Sequence, residues 1–292
     1  MRAKRGQIAL YVIIAIVVIS AIALVYMFRG GTFKPLLSSE EAQKLVNSQI
    51  QPVRDKVTDC MEIVTRKTLN TMGRQGGYIY PKAERIEIPS SVMPDAPVIS
   101  YALYKDSSGY HNTLPSVEEM KEEFVEFIMK NPEFESCIND FEEFKKLMDV
   151  EKKELSIDVD KIDFGEKSGQ IVIPFNYPVE LRRGNATTLV DNYVIKIPIN
   201  LYKIHETSVT ILNKITSNEN IVVMLQDMAK EQEKELRKNP ESEKLFVFAN
   251  SYSELRTDVE EIAYSTKTLF RIEYQNKALE EPFNFYFLSG EI

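Results

Sequence analysis

The apolar positions of this chain form one unbroken run and then settle into two different periods. From residue 8 to residue 28 there is no charge, and only Tyr11, Ser20 and Tyr26 interrupt the apolar side chains. As a helix rising about 1.5 Å per residue, the run reaches about 31 Å, enough to cross a hydrocarbon core of about 30 Å. Beyond it, Ser38 and Glu41 make a capping-box pattern opening a helix with Leu45, Val46 and Ile50 on one face. Pro52 interrupts or restarts that helix. Val53, Val57, Cys60, Met61, Val64 and Met72 then continue at helical spacing to a stop at Gly73. Gly76, Gly77 and Pro81 read as loop, and 96–104 as a strand. Ser116 caps a helix carrying Met120, Phe124, Phe127 and Ile128. Asn131-Pro132 breaks it, and a second helix holds Phe134, Cys137, Ile138, Phe141, Phe144 and Leu147.

From Leu155 the period changes to two. Leu155, Ile157 and Val159 form one row, Ile171 to Val179 a second, and Ile195, Ile197 and Ile199 a third, which predicts a three-strand antiparallel meander. Helical spacing returns with Val209, Leu212 and Ile215, then over 221–238. Strands are predicted at 245–250, 260–265, 268–274 and 283–288. Helices and antiparallel strands in separate blocks predict an α+β fold behind a single N-terminal transmembrane helix. The expected organisation is a basic leader at 1–6, the span at 7–29, a linker at 30–37 and an extracytoplasmic domain at 38–292, with a sub-division near 150.

Charge gives the span a direction. Arg2, Lys4 and Arg5 precede it, and positive flanks stay on the cytoplasmic side, so the bulk of the chain is expected outside a cell membrane. Five of the 36 basic residues and none of the 44 acidic ones precede residue 38, leaving the outer part near −13. Such an acidic surface argues against nucleic acid as a partner. The two cysteines, Cys60 and Cys137, both fall in the outer part. Two readings stand open: a disulfide closing a loop of about 77 residues, favoured by an oxidising exterior, or two buried thiols.

Candidate chemistry is thin. Gly76-Gly77 lacks the Lys-Ser/Thr of a phosphate loop and reads as a tight turn. Asp158, Asp160 and Asp163 hint at calcium, but Ile162 and Gly169 occupy positions where an EF-hand needs oxygen ligands, so a solvated turn is expected. His111 reads as a loop residue and His205 as preceding a helix, and no hydrolase motif accompanies either. Asn185-Ala186-Thr187 is an N-glycosylation acceptor in a predicted hairpin turn. Neither a cofactor nor a metal is expected.

The leader Lys4-Arg5-Gly6-Gln7, followed at once by the apolar run, resembles the class III (prepilin-type) signal of archaeal pilins and archaellins. The resemblance implies cleavage between Gly6 and Gln7 by a prepilin-type peptidase, leaving the helix on the mature protein. Tyr11 stands where many pilins carry glutamate, and Pro35 departs from the long continuous helix of major pilins. The pattern Cys60-Met61-Glu62, then 73–79, Cys137 and a strand over 171–179 resembles uncharacterised membrane-anchored surface proteins of small-genome archaea. The expectation is a membrane-anchored, pilin-like surface protein with a structural or interaction role and no catalysis. Its expected partners are membrane lipid along residues 8–28, the peptidase, and surface or filament proteins. A tethered ligand- or partner-binding module is the second reading, and an anchored hydrolase the third.

Overall fold

Two helices begin where a serine hydroxyl and a glutamate carboxylate trade hydrogen bonds. A computed structural model describes residues 18–20, 38–82, 84–88, 98–217, 220–238, 243–256 and 263–291. The expected span at 7–29 lies outside the described residues apart from a helical piece at 18–20, and the Gly6–Gln7 junction lies outside them altogether. Among the described residues, no helix is long and apolar enough to cross a membrane.

Helix α1 (Ser39–Ser48) starts at the Ser38–Glu41 capping box, with Glu41 Oε2 accepting from the Ser38 amide at 2.9 Å. Helix α2 (Ile50–Arg74) follows after one residue. Pro52 falls in its first turn, where an amide has no intrahelical acceptor to lose. Ten α2 residues are buried, among them Val53, Val57, Met61, Val64, Leu69 and Met72. Burying each such apolar side chain is worth about 1.5–3 kcal/mol, so α2 is the axis of the core. Its end corrects the sequence expectation. Gly73 lies inside the helix; the stop is Gly76, at φ +78°, and the Gly77 amide closes on the Met72 carbonyl at 2.9 Å. That is the Schellman closure, which requires a left-handed residue after the cap.

Three sheets surround α2. The largest takes β1 (Arg85–Glu87), β2 (Val98–Asp106), β3 (Gly109–Asn112), β11 (Lys244–Arg256), β12 (Ala263–Gln275) and β13 (Phe283–Glu291), in the order β1-β2-β13-β12-β11 with β3 hairpinned onto β2. Among the described residues, only the β13–β2 pair is parallel. The second sheet joins β5 (Ser156–Ile157), β6 (Asp163–Phe164), β7 (Ile171–Asn176) and β10 (Tyr193–Ile197). The third joins β4 (Asp149–Lys152), β8 (Val179–Arg183) and β9 (Ala186–Val190). The α+β class therefore holds, with antiparallel sheets.

The expected meander does not form as a continuous unit. The row over 171–179 is cut at Tyr177-Pro178: β7 stays in the second sheet while β8 enters the third. Of the first row only β5 is a strand, and Val159 lies in a 3-10 turn. Conversely, the stretch over 268–274 merges with the described part of 260–265, since β12 runs unbroken from Ala263 through Ser265–Thr268 against β11.

The helices are simpler. Ser116 and Glu119 cap α3 (Val117–Lys130). The expected second helix divides into α4 (Glu133–Ile138), a 3-10 turn (Asn139–Phe141) and α5 (Glu142–Lys145). Asn139, Asp140 and Phe141 all have positive φ, between 49° and 57°. The turn re-aims the chain so that Phe134, Ile138, Phe141 and Phe144 are all buried, whereas Leu147 is left exposed. Helices α6 (Leu201–Thr216) and α7 (Ile221–Lys238) follow β10. One cluster of buried side chains extends from Ala42 to Phe287, drawing on residues either side of position 150, and a smaller one joins Ile88, Ile99, Tyr101, Leu269 and Leu288.

Candidate functional site

Cys60 of α2 and Cys137 of α4 are joined as a disulfide, with Cα atoms 5.6 Å apart. The amphipathic pattern of each helix turns its cysteine toward the other. Asn185 is exposed in the two-residue turn between β8 and β9, beside Gly184 at φ +59°. A positive φ at the first turn position followed by an ordinary second residue suits a tight hairpin, and it presents the Asn185 amide to solvent.

The histidines are placed differently from their sequence expectation. His111 belongs to strand β3, not to a loop, because Asp106 and Gly109 close a hairpin that the lone-strand reading missed. Its Nε2 lies 2.8 Å from Ser108 Oγ and 3.1 Å from Asp106 Oδ1. A nucleophilic relay needs the nucleophile on one ring nitrogen and the carboxylate on the other. Here both meet the same nitrogen, and Ser108 Oγ donates directly to Asp106, so the trio closes an exposed turn. Those donors, the Ser108 hydroxyl first, hold the Asp106 carboxyl at about 2. His205 lies within α6, not before it, with Nε2 2.8 Å from the Pro115 carbonyl. Burial keeps its pKa below the usual histidine value.

The segment after α2 builds a second feature. Glu123 of α3 accepts from the amides of Ile79 (2.8 Å) and Tyr80 (3.3 Å). The Tyr78 hydroxyl donates to the Thr113 carbonyl, and Lys82 Nζ stands 4.9 Å above the Tyr78 ring. Burial, helped by Glu119 and Glu123, raises the Tyr78 hydroxyl to about 12. A cavity of about 450 Å³ adjoins these groups. Its polar groups chiefly satisfy one another, which suits a latch between α2 and α3 better than a ligand site. Asp163 is spent in a similar way, accepting from the amides of Gly165, Lys167 and Ser168. Among the described residues, no group of three or more His, Cys, Asp or Glu side chains is placed to hold a metal ion.

A groove of about 510 Å³ lies between α7 and β11. Leu225 and Met228 of α7 and Leu245 and Val247 of β11 line it, each partly buried against the core. Gln232 also lines it, and its Nε2 is shielded from solvent without an acceptor. Lys203, Lys234 and Lys238 contribute cationic groups and Glu231 and Glu243 anionic ones, Lys203 facing Glu243 at 4.0 Å. Phe246 and Phe248 are partly exposed at its β11 side, with the Arg271 guanidinium 4.3 Å above the Phe248 ring. Sequence reading assigned 221–238 and 245–250 to a helix and a strand but could not bring them side by side, because that contact depends on where β12 and β13 carry the sheet. An uncharged strand beside a strongly amphipathic helix was the only local signal. Compared with known proteins, the chain matches no protein-family model, no curated protein and no solved structure.

Proposed function

We propose that this chain is a single-pass cell-surface interaction protein: an apolar helix over residues 8–28 tethers an extracytoplasmic α+β head that engages partners and carries out no catalysis itself. The observation that carries the reading is the Cys60–Cys137 bridge, because disulfides persist in oxidising compartments outside the cytosol. The basic leader and uncharged run agree with that placement. The exposed Asn185 turn is accessible to modification on the same side.

Within this reading, the head is a tethered module more than a filament spine. Ser38 has φ −58° and ψ 155°, an extended conformation, and α1 starts afresh from its capping box. A helix that packs a filament and runs into its head would be continuous there. Lys4-Arg5-Gly6-Gln7 keeps the pilin-like reading alive as the second, with a prepilin-type peptidase and filament partners.

The test uses native membranes. Treatment with a membrane-impermeant protease should release the head from intact cells, and alkylation without reductant should leave Cys60 and Cys137 unmodified. Free thiols together with protease resistance would overturn the surface placement. Mass spectrometry of the native N-terminus separates the two forms: a chain beginning at Gln7 supports processing, and one beginning at Met1 or Ala3 removes it.

A further inference from the structure

The groove between α7 and β11 has an open strand edge for one wall. β11 ends the sheet order, and among the described residues it pairs with β12 alone. Alternate amides and carbonyls along its other side therefore have no ladder partner among the described residues. Sheet edges are normally guarded by charge, proline, a bulge or short length. β11 has thirteen residues, and its stretch 245–253 holds no charge, no proline and no glycine. Its register against β12 is unbroken from Lys244 to Arg256, so no bulge turns the edge away. The opposite wall is α7, and the apolar floor comes from both.

We infer that this groove binds an extended acidic peptide of a partner protein, which adds to β11 as a further strand. This deepens the interaction reading above and rests on it. Main-chain hydrogen bonds to the β11 edge would supply affinity, and alternate side chains would choose the sequence. On one face of such a strand, apolar side chains meet Leu225, Met228, Leu245 and Val247. The buried Gln232 amide meets a peptide carbonyl in place of the acceptor it lacks. Lys203, Lys234 and Lys238 line the groove with Glu231 and Glu243, so its balance is one positive charge, and carboxylates of an anionic segment lying along the α7 rim fall near Lys234 and Lys238. A second copy fits less well. Pairing two β11 strands antiparallel about their middle sets Lys244 against Arg256 at both ends, and like charges directly opposite are destabilising.

The experiment takes the full chain in detergent micelles and a fluorescein-labelled peptide of alternating valine and glutamate, about eight residues long, read by anisotropy. Binding is expected to weaken with salt and to fall about tenfold in the Lys234→Glu/Lys238→Glu double variant, whose changes lie on an exposed helix surface. N-methylating alternate peptide amides on the strand-pairing edge should abolish it, since those groups would meet β11. Equal binding by the N-methylated peptide or by a lysine-for-glutamate peptide overturns the proposal. So does the absence of binding up to about 1 mM peptide, or a dimer whose formation excludes the peptide. Binding in micelles does not depend on which side of a membrane the head occupies. Its failure would leave the surface placement standing, and failure of that placement would leave this measurement intact.

Discussion

Gly73 and Gly76 lie three positions apart and are held to glycine by different physics. At Gly73 the backbone is helical, but an added Cβ would sit 2.6 Å from the Asn284 carbonyl oxygen and 2.8 Å from the Phe283 ring. At Gly76 the nearest atom would be 3.4 Å away, and the constraint is its φ of +78°. Overpacking costs about 1–3 kcal/mol, whereas asparagine tolerates the left-handed region better than most residues. Gly73→Asn should therefore lower the urea midpoint more than Gly76→Asn; the reverse order would show that the end of α2 is not closed as described. His205 gives a pH dependence of known sign. Burial lowers its folded pKa below 6.5, against the raising effects of the Pro115 carbonyl, Glu118 and Glu206. The unfolded chain then binds the proton more readily, so this contribution is complete above about pH 6.5 and falls as pH drops through the window below it. Thermal unfolding from pH 7.5 down to 5 should show a larger loss for the wild type than for His205→Gln. Parallel curves would remove His205 as the titrating group.

At the scale of elements, helices announced themselves through local chemistry, and sheets did not. The Ser116–Glu119 box is an example: Glu119 Oε2 accepts from the Ser116 amide at 2.8 Å, and Ser116 Oγ accepts from the Glu119 amide at 3.2 Å. Ser116→Ala removes the hydroxyl and should cost about 1 kcal/mol, with Glu119 left to hold its half of the box. A chemical denaturation midpoint unchanged by the substitution would mean that packing of Met120, Phe124 and Ile128 alone fixes the start of α3. Every serine cap and apolar helical stripe of this kind lies within a few residues, so α1, α3 and α7 were legible, and α6 from Val209 onward but not its start at Leu201. What the pattern missed was set at a distance. The break at Tyr177-Pro178 divides an alternating row between two sheets, and the left-handed turn at Asn139–Phe141 interrupts a stripe of buried phenylalanines whose spacing a single helix would also satisfy. Period two tells which residues share a face, but not which strand lies alongside. For the same reason the β2–β3 hairpin and the α7–β11 groove were invisible, although each wall of the groove was correctly assigned as a helix or a strand.

For the whole molecule, the decisive link is between the core axis and the helices that shield it. α2 touches β13, β10 and β9 as well as α3 and α4, so the three sheets meet through one helix. The Cys60–Cys137 bridge ties that axis to α4 and spans 77 positions of sequence. The intervening chain includes β1–β3 and α3, which means that reduction frees a long loop in the unfolded ensemble while leaving both sulfurs packed in the folded one. A loop of this length corresponds to about 4 kcal/mol in the chain-entropy model. A typical domain is stable by only about 5–15 kcal/mol, so the bridge would supply a large share of the margin. Reducing the folded protein should accordingly lower the urea midpoint and raise the slope of the transition, because an unbridged chain exposes more surface when it unfolds. Cys60→Ser/Cys137→Ser should fall further than reduced wild type, since Cys60 is 1% exposed and its replacement also buries a hydroxyl. If reduction leaves midpoint and slope unchanged, loop closure contributes nothing. The core around α2 would then hold the head together by packing alone, and the bridge would act only as a local tie between α2 and α4.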